Sequence, residues 1–268
     1  MNRIDARFRE LAESGKAAFI PFLTAGDPDL ETTLRVLEGA ADAGADLIEL
    51  GFPFSDPIAD GPTIQASYQR ALSGGQNVGQ VLELVEAARK TCPLPIVAMV
   101  SYSIVFKWGL ETFLDRATEA GLDGATVPDL PVEEAAEFLP IAHGRDFRLI
   151  CFVTPATAKS RRTMVAQHAR GFIYYISVRG ITGERTGLPP DLVENIRELR
   201  SLTDVPIAVG FGVSTPEQAA AVARSADGVI VGSAIVKRMA AAAQQGADAA
   251  EAALSFIREM SAATKSAP

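Results

Sequence analysis

Eight short apolar runs, each followed by a stretch with helical spacing, limit the fold of this chain more tightly than any other feature. The runs lie at 18–23, 46–50, 95–100, 124–127, 148–153, 172–177, 207–209 and 228–231. They read as continuous apolar segments rather than alternating ones, as strands do when both faces are covered. Strict alternation of strand and helix predicts a parallel sheet. Eight such units in 268 residues are the size of a closed (β/α)8 barrel. A doubly wound open sheet is the alternative. No Gly/Ser-rich linker or shift in composition divides the chain, so 1–268 reads as one domain. Residues 3–16, with Ile4, Phe8 and Leu11 on one side, form an extra amphipathic helix ahead of the first strand. Further helices are expected at 78–90, 110–120, 132–143, 160–169, 191–199 and 216–224, and an Ala-rich helical tail at 234–263.

Within that frame one stretch stands out: Leu47-Ile48-Glu49-Leu50-Gly51-Phe52-Pro53-Phe54-Ser55-Asp56-Pro57-Ile58-Ala59-Asp60-Gly61-Pro62. Ionised carboxylates are expensive to bury unless paired, so Glu49 inside an apolar run needs a reason. Asp60 follows 11 residues later on a Gly/Pro-rich loop. Two carboxylates in different surroundings at one rim are what acid and base chemistry on one fold requires. The structural alternative is an ion pair for Glu49 and a turn for Asp60. Phe22, Asp129, Tyr174, Gly210 and Gly232 also fall at or just past strand ends, where barrels carry their chemistry.

Gly210-Phe211-Gly212 follows the seventh run. Gly232-Ser233-Ala234 follows the eighth and opens a helix. Backbone N–H groups at a helix start, with the Ser233 hydroxyl, favour a phosphate. The bland reading is tight turns alone, but phosphate sites recur after the last two strands of barrels. The segment 178–190 is long and hinge-like, with the properties of a lid or of a surface loop. Pro53, Phe54, Pro57 and Ile58 are apolar residues on a loop expected to be exposed. They fold back on the barrel or form a contact patch for another protein.

A net charge of −8 argues against a nucleic-acid surface. Cys92 and Cys151 form no spaced motif and read as reduced thiols of a cytoplasmic protein. The charged start lacks the apolar core of a signal peptide. No run reaches membrane-spanning length. No His, Cys and carboxylate cluster has metal-ligand spacing.

With these residues in view, the chain resembles the α subunits of tryptophan synthase over nearly its whole length. The resemblance rests on residues 21–28 (Pro-Phe-Leu-Thr-Ala-Gly-Asp-Pro), on 48–62, on Asp129-Leu130-Pro131, on Thr182-Gly183 with Arg185-Thr186-Gly187, and on Gly210-Phe211-Gly212-Val213 with Gly232-Ser233-Ala234. It implies a lyase that cleaves indole-3-glycerol phosphate into indole and glyceraldehyde 3-phosphate. It implies Glu49 as general acid/base and Asp60 as the acid beside the indole nitrogen. Phosphate binding by Gly183, Gly212, Gly232 and Ser233 and indole contacts from Phe22 and Tyr174 are implied too, with Thr182 beside the substrate.

The same resemblance implies an α2β2 assembly. Pyridoxal phosphate would sit in the β subunit, with no cofactor in this chain. Pro53, Asp56, Pro57 and Asp129 would form the contact surface. The other readings are a free-standing lyase that releases indole, an allosteric binding subunit with little chemistry, and a phosphosugar isomerase. One segment departs from the pattern. After the third strand the family usually reads Met-Thr-Tyr-Tyr-Asn-Pro-Ile. Here Met99-Val100-Ser101-Tyr102-Ser103-Ile104-Val105 puts Ser101 and Ser103 in place of a Tyr and an Asn, and Ile104 in place of a Pro.

Overall fold

A computed structural model describes residues 1–58, 60–177, 191–210 and 212–266. The eight expected strands are present: β1 (Ala18–Thr24), β2 (Ile48–Gly51), β3 (Ile96–Met99), β4 (Gly124–Thr126), β5 (Arg148–Val153), β6 (Ile173–Ile176), β7 (Ile207–Gly210) and β8 (Gly228–Val231). Each is parallel to its neighbours, and β1 pairs with both β2 and β8, which closes the barrel. The open doubly wound sheet is thereby excluded. Inward residues such as Ile20, Leu47, Val97, Ala208 and Ile230 fill the interior. Outward residues pack beneath the helices in the larger cluster.

Helix α1 (Arg3–Glu13) plugs the bottom of the barrel. Asn2 caps it by accepting the Ile4 N–H at 2.8 Å. Its buried stripe Ile4, Phe8 and Leu11 joins the interior cluster, with the Phe8 and Phe172 rings 5.5 Å apart. The outer layer comprises α2 (Leu30–Gly39), α3 (Pro62–Ser73), α4 (Val78–Ala88), α5 (Tyr102–Trp108), α6 (Leu110–Ala120), α7 (Phe138–Gly144), α8 (Lys159–His168), α9 (Leu192–Arg200), α10 (Pro216–Ala223), α11 (Ser233–Gln244) and α12 (Ala249–Lys265).

Four of these differ from the sequence expectation. The helix expected over 132–143 is a 3-10 turn, Val132–Glu134, followed by α7. Pro140 has no N–H to donate back one turn, so a continuous helix cannot pass through it. It is tolerated in the first turn of α7, where no donor is needed. The Ala-rich tail is two helices. Gly246 adopts φ +68°, and Asp248 then caps α12 by accepting the N–H groups of Ala250 and Glu251. The other two are α3 and α5, helices where none was expected. Helix α5 opens at Ser101, one of the departures from the family pattern, whose oxygen accepts the Ser103 N–H.

Helix α3 matters most for the site because it begins two residues after Asp60. Pro62 stands at its first position, where a missing N–H costs nothing. It is fastened to the end of β1 twice. The Thr24 and Ser67 hydroxyls are 2.7 Å apart, and Arg70 donates to both Asp27 oxygens at 2.8 Å. Among the described residues no helix is long and apolar enough to cross a membrane.

Candidate active site

The C-terminal mouth of the barrel holds a cavity of about 560 Å³. Phe22, Glu49, Asp60, Tyr174, Gly212, Gly232 and Ser233 all line it. Seven of the predicted site residues, drawn from five βα units, are thus brought together. Thr182 and Gly183 lie outside the described residues.

Glu49 is the second residue of β2 and points inward beside Phe22, its register partner on β1. It is 3% exposed. Its Oε1 accepts the Thr126 hydroxyl of β4 at 2.9 Å. Burial pushes its pKa up to about 8, against the pull of that hydroxyl and with a further push from the Asp60 charge. Ion pairing, the structural alternative for Glu49, does not occur among the described residues. Asp60 is 8% exposed at the end of the β2–α3 loop. Burial and the like charge of Asp129 push its pKa up to about 7. The Gln65 amide holds the Asp60 backbone carbonyl at 2.8 Å, so the chain is fixed there while the carboxylate faces the cavity.

At neutral pH Glu49 therefore keeps its proton while Asp60 is ionised in a large fraction of molecules. One acid that can give a proton and one charge that can stabilise a cation line the same cavity.

Tyr174 from β6 and Phe22 from β1 supply aromatic walls. Tyr174 packs against Phe152 with ring centroids 5.0 Å apart, and its hydroxyl occupies the space a Cβ at Gly210 would need. At the far end, α11 directs its first turn at the cavity through Ser233 and Ala234. The N–H groups of Ile235 and Val236 return to the Gly232 carbonyl at 2.8 and 3.1 Å, which leaves those of Ser233 and Ala234 pointing forward. Gly212 holds φ +86°, which favours glycine, with open space on its Cβ side. The cavity wall also includes Ser214, Lys237 and Arg238, which the sequence reading missed. Lys237 and Arg238 lie in the turn of α11 after Ser233, so helical spacing from the Gly-Ser start was the available signal. Arg238 sits with its guanidinium carbon 3.6 Å over the Phe256 ring.

The loop after β2 corrects one expectation. Pro53 is buried and Phe54 half-buried against the core, so these two fold back on the barrel. Asp56 is exposed and Ile58 is 84% exposed. The exposed patch is therefore narrower than the run of apolar residues suggested. Asp129 accepts the Ser101 hydroxyl at 2.7 Å and the Tyr102 N–H at 2.8 Å, which ties the loop after β4 to the start of α5. The described residues hold no cluster of three or more His, Cys, Asp or Glu placed for a metal ion, and both cysteines are buried free thiols.

The family profile described as "Tryptophan synthase alpha chain" matches residues 8–265. A tryptophan synthase alpha chain from Rhodopirellula baltica is 48% identical over 271 residues, covering 97% of this chain and 98% of that one. One from Geobacter sulfurreducens is 48% identical over 237 residues, covering 88% and 90%. The crystal structure of a tryptophan synthase alpha chain from Legionella pneumophila subsp. pneumophila superimposes with a TM-score of 0.90 at 34% identity, over 98% of this chain and 97% of that one.

Proposed function

The chain belongs to the tryptophan synthase alpha chain family and is a lyase of tryptophan biosynthesis, cleaving indole-3-glycerol phosphate to indole and glyceraldehyde 3-phosphate; from the site we propose that Glu49 and Asp60 carry that reaction. The observation behind this reading is the pair of buried acids, with no ion-pair partner among the described residues, on one cavity whose opposite end is a helix start.

Glu49, protonated at neutral pH, delivers its proton to indole C3. The ring nitrogen then carries positive charge, and the Asp60 carboxylate stabilises it. The bond from C3 to the glycerol carbon breaks, and its electron pair restores the aromatic ring. The hydroxyl on the departing carbon becomes the aldehyde and gives its proton to the Glu49 carboxylate, which is thereby reset. Help of this kind from one positioned acid/base is worth about 10²–10⁴-fold. Gly212, Gly232 and Ser233 hold the phosphate, and Phe22 and Tyr174 enclose the indole. Phosphate binding far from the breaking bond then serves to place the reacting atoms.

The reaction needs Glu49 protonated and Asp60 ionised, so kcat/KM is expected to peak between about pH 7 and 8.

The family implies a β subunit in general. For this chain we place its contact at Asp56, Pro57 and Asp129, with Pro53 as buried backing, in an α2β2 assembly in the cytoplasm. Pyridoxal phosphate would be held by the partner and not by this chain. Asp56 and Asp129 are exposed on the rim beside Asp60, which supports that placement. Indole formation measured with and without added β subunit tests it. Activation that Asp56→Ala weakens is expected. Activity that ignores the β subunit would favour a free-standing lyase.

A further inference from the structure

The structure assigns Tyr68, which the reaction above leaves unused, a positioning role for Asp60: we propose that its phenol hydroxyl donates to the Asp60 carboxylate through one water held between them. Tyr68 lies on the buried face of α3, between the two ties that fix that helix to β1 at Ser67 and Arg70. Its side chain reaches over the rim of the barrel. A Cβ at Gly51 would lie 2.8 Å from the Tyr68 hydroxyl and 2.6 Å from the Phe22 ring, so only glycine leaves room for both. Gly51 is two residues beyond Glu49 on β2, and residues two apart share a face of a strand. The phenol oxygen therefore stands on the face to which Glu49 points.

Tyr68 is 3% exposed. Neither its hydroxyl nor the Asp60 carboxylate makes a hydrogen bond with another described residue. Neither polar group is sealed from water, so one water can reach both. They share a second, small cavity of about 30 Å³, walled also by Met99, Ser101 and Asp129. That exceeds the roughly 10–15 Å³ one water needs, and a water needs two to four polar partners. The phenol, Asp60 and the Ser101–Asp129 pair supply them.

Asp60 and Met99 line both cavities and so form the partition between them. Position 101 is where the family pattern carries a tyrosine. Here it is serine, whose hydroxyl is held by Asp129 and which shares the small cavity with the Tyr68 phenol.

The charged and titratable groups facing Asp60 are mostly anionic or neutral. Among the described residues they are Glu49 from β2, Asp129 after β4, Asp56 on its own loop, Tyr174 from β6, and Lys237 and Arg238 across the larger cavity. A donor aimed at the carboxylate favours its charged form and offsets the push from burial and Asp129.

Tyr68→Phe keeps the ring and removes the donor. The expected result is a kcat about tenfold lower with KM changed less than about twofold, and an acid limb of the kcat/KM profile moved to higher pH as Asp60 becomes harder to ionise. Placing 3-fluorotyrosine at 68 strengthens the donor and moves that limb to lower pH. A merely structural tyrosine would move neither limb. The inference rests on the role proposed for Asp60, so Asp60→Asn is assayed alongside. If Asp60→Asn is inactive while Tyr68→Phe keeps the wild-type kcat and limb, the Tyr68 assignment is wrong and the site reading stands. If Asp60→Asn stays active, the site reading falls and the assignment with it. Should Tyr68→Phe fail to fold, an unmoved limb in the 3-fluorotyrosine protein overturns the assignment.

Discussion

The two ends of this barrel bury their carboxylates equally well and treat them in opposite ways. At the N-terminal end, Asp46 accepts Arg7 at 2.6 Å, the Phe19 N–H at 2.8 Å and Lys265 at 3.3 Å. Asp123 accepts Arg3 and Arg89 at 2.7 Å and the Ile96 N–H at 2.9 Å. Burial pushes Asp123 up from the ordinary carboxylate range, and Arg89, the Ile96 N–H and Arg3 pull it back. Each of these acids sits just before a strand and clasps an N–H at the start of a neighbouring one, Phe19 of β1 or Ile96 of β3, so it helps set register.

At the C-terminal end, Glu49 has one neutral hydroxyl and Asp60 has no cation among the described residues. The same burial is countered by cations below and, among the described residues, by one neutral hydroxyl above. Uncompensated burial keeps a proton on a carboxyl at neutral pH, which is what proton transfer requires. The lower end holds the structure together, and under the proposed mechanism the upper end forgoes stability for reactivity.

Glu49→Gln breaks the comparison most sharply. It keeps the shape and the oxygen that accepts from Thr126 but cannot exchange a proton. The expected loss in kcat is about 10³–10⁴-fold, with an unchanged circular dichroism spectrum. A kcat within about tenfold of wild type would mean Glu49 is not the acid/base group.

Asp123→Ala is the mirror experiment at the other end. It strands Arg89 and the Ile96 N–H, and breaking a buried pair this way costs about 3–5 kcal/mol. Urea unfolding should show that loss, while kcat per folded molecule stays within about threefold of wild type. A large drop in kcat with little destabilisation would erase the division between the two ends.

The division was partly visible in the residues themselves. Eight apolar runs were enough for the barrel, because period and alternation are local properties that survive burial. Glu49 was conspicuous because an acid in an apolar strand has few structural uses. Asp123 and Asp46 passed unremarked: their partners Arg89, Arg3 and Lys265 are distant in sequence, and only the fold brings them close. Tyr68 was invisible for the same reason, since a tyrosine on a helix reads as core until its hydroxyl is seen over Gly51. Pro53 was misread as exposed because a Pro-rich loop gives no sign of which way it turns.

The comparison also predicts how stability depends on pH. The folded pKa of Glu49 is raised to about 8 from about 4.5, so the folded state binds the proton more tightly than the unfolded one. Its favourable contribution is complete below about pH 4.5 and is lost as pH rises through 8. Glu49→Gln removes this dependence. The variant should gain on wild type between pH 5 and 8.5 by something on the order of 1–3 kcal/mol. Parallel unfolding curves at those two pH values check it, and a constant difference would contradict it.

A smaller effect is expected from Thr126→Val, which keeps the volume and removes the hydroxyl that stabilises the Glu49 carboxylate. The Glu49 pKa should rise by less than about one unit, and kcat should change by less than about tenfold. The basic limb of the pH–rate profile reads the shift directly. A basic limb moved to lower pH would mean that the hydroxyl favours the protonated acid.

The most direct test is the titration of Glu49 itself, followed by carboxyl 13C NMR on protein labelled at glutamate, with Glu49→Gln providing the assignment. A midpoint near pH 8 is predicted from the burial of this acid, which has no cation partner among the described residues. A midpoint in the ordinary range near 4.5 would show that the upper end compensates its carboxylates as the lower end does, and would contradict the account.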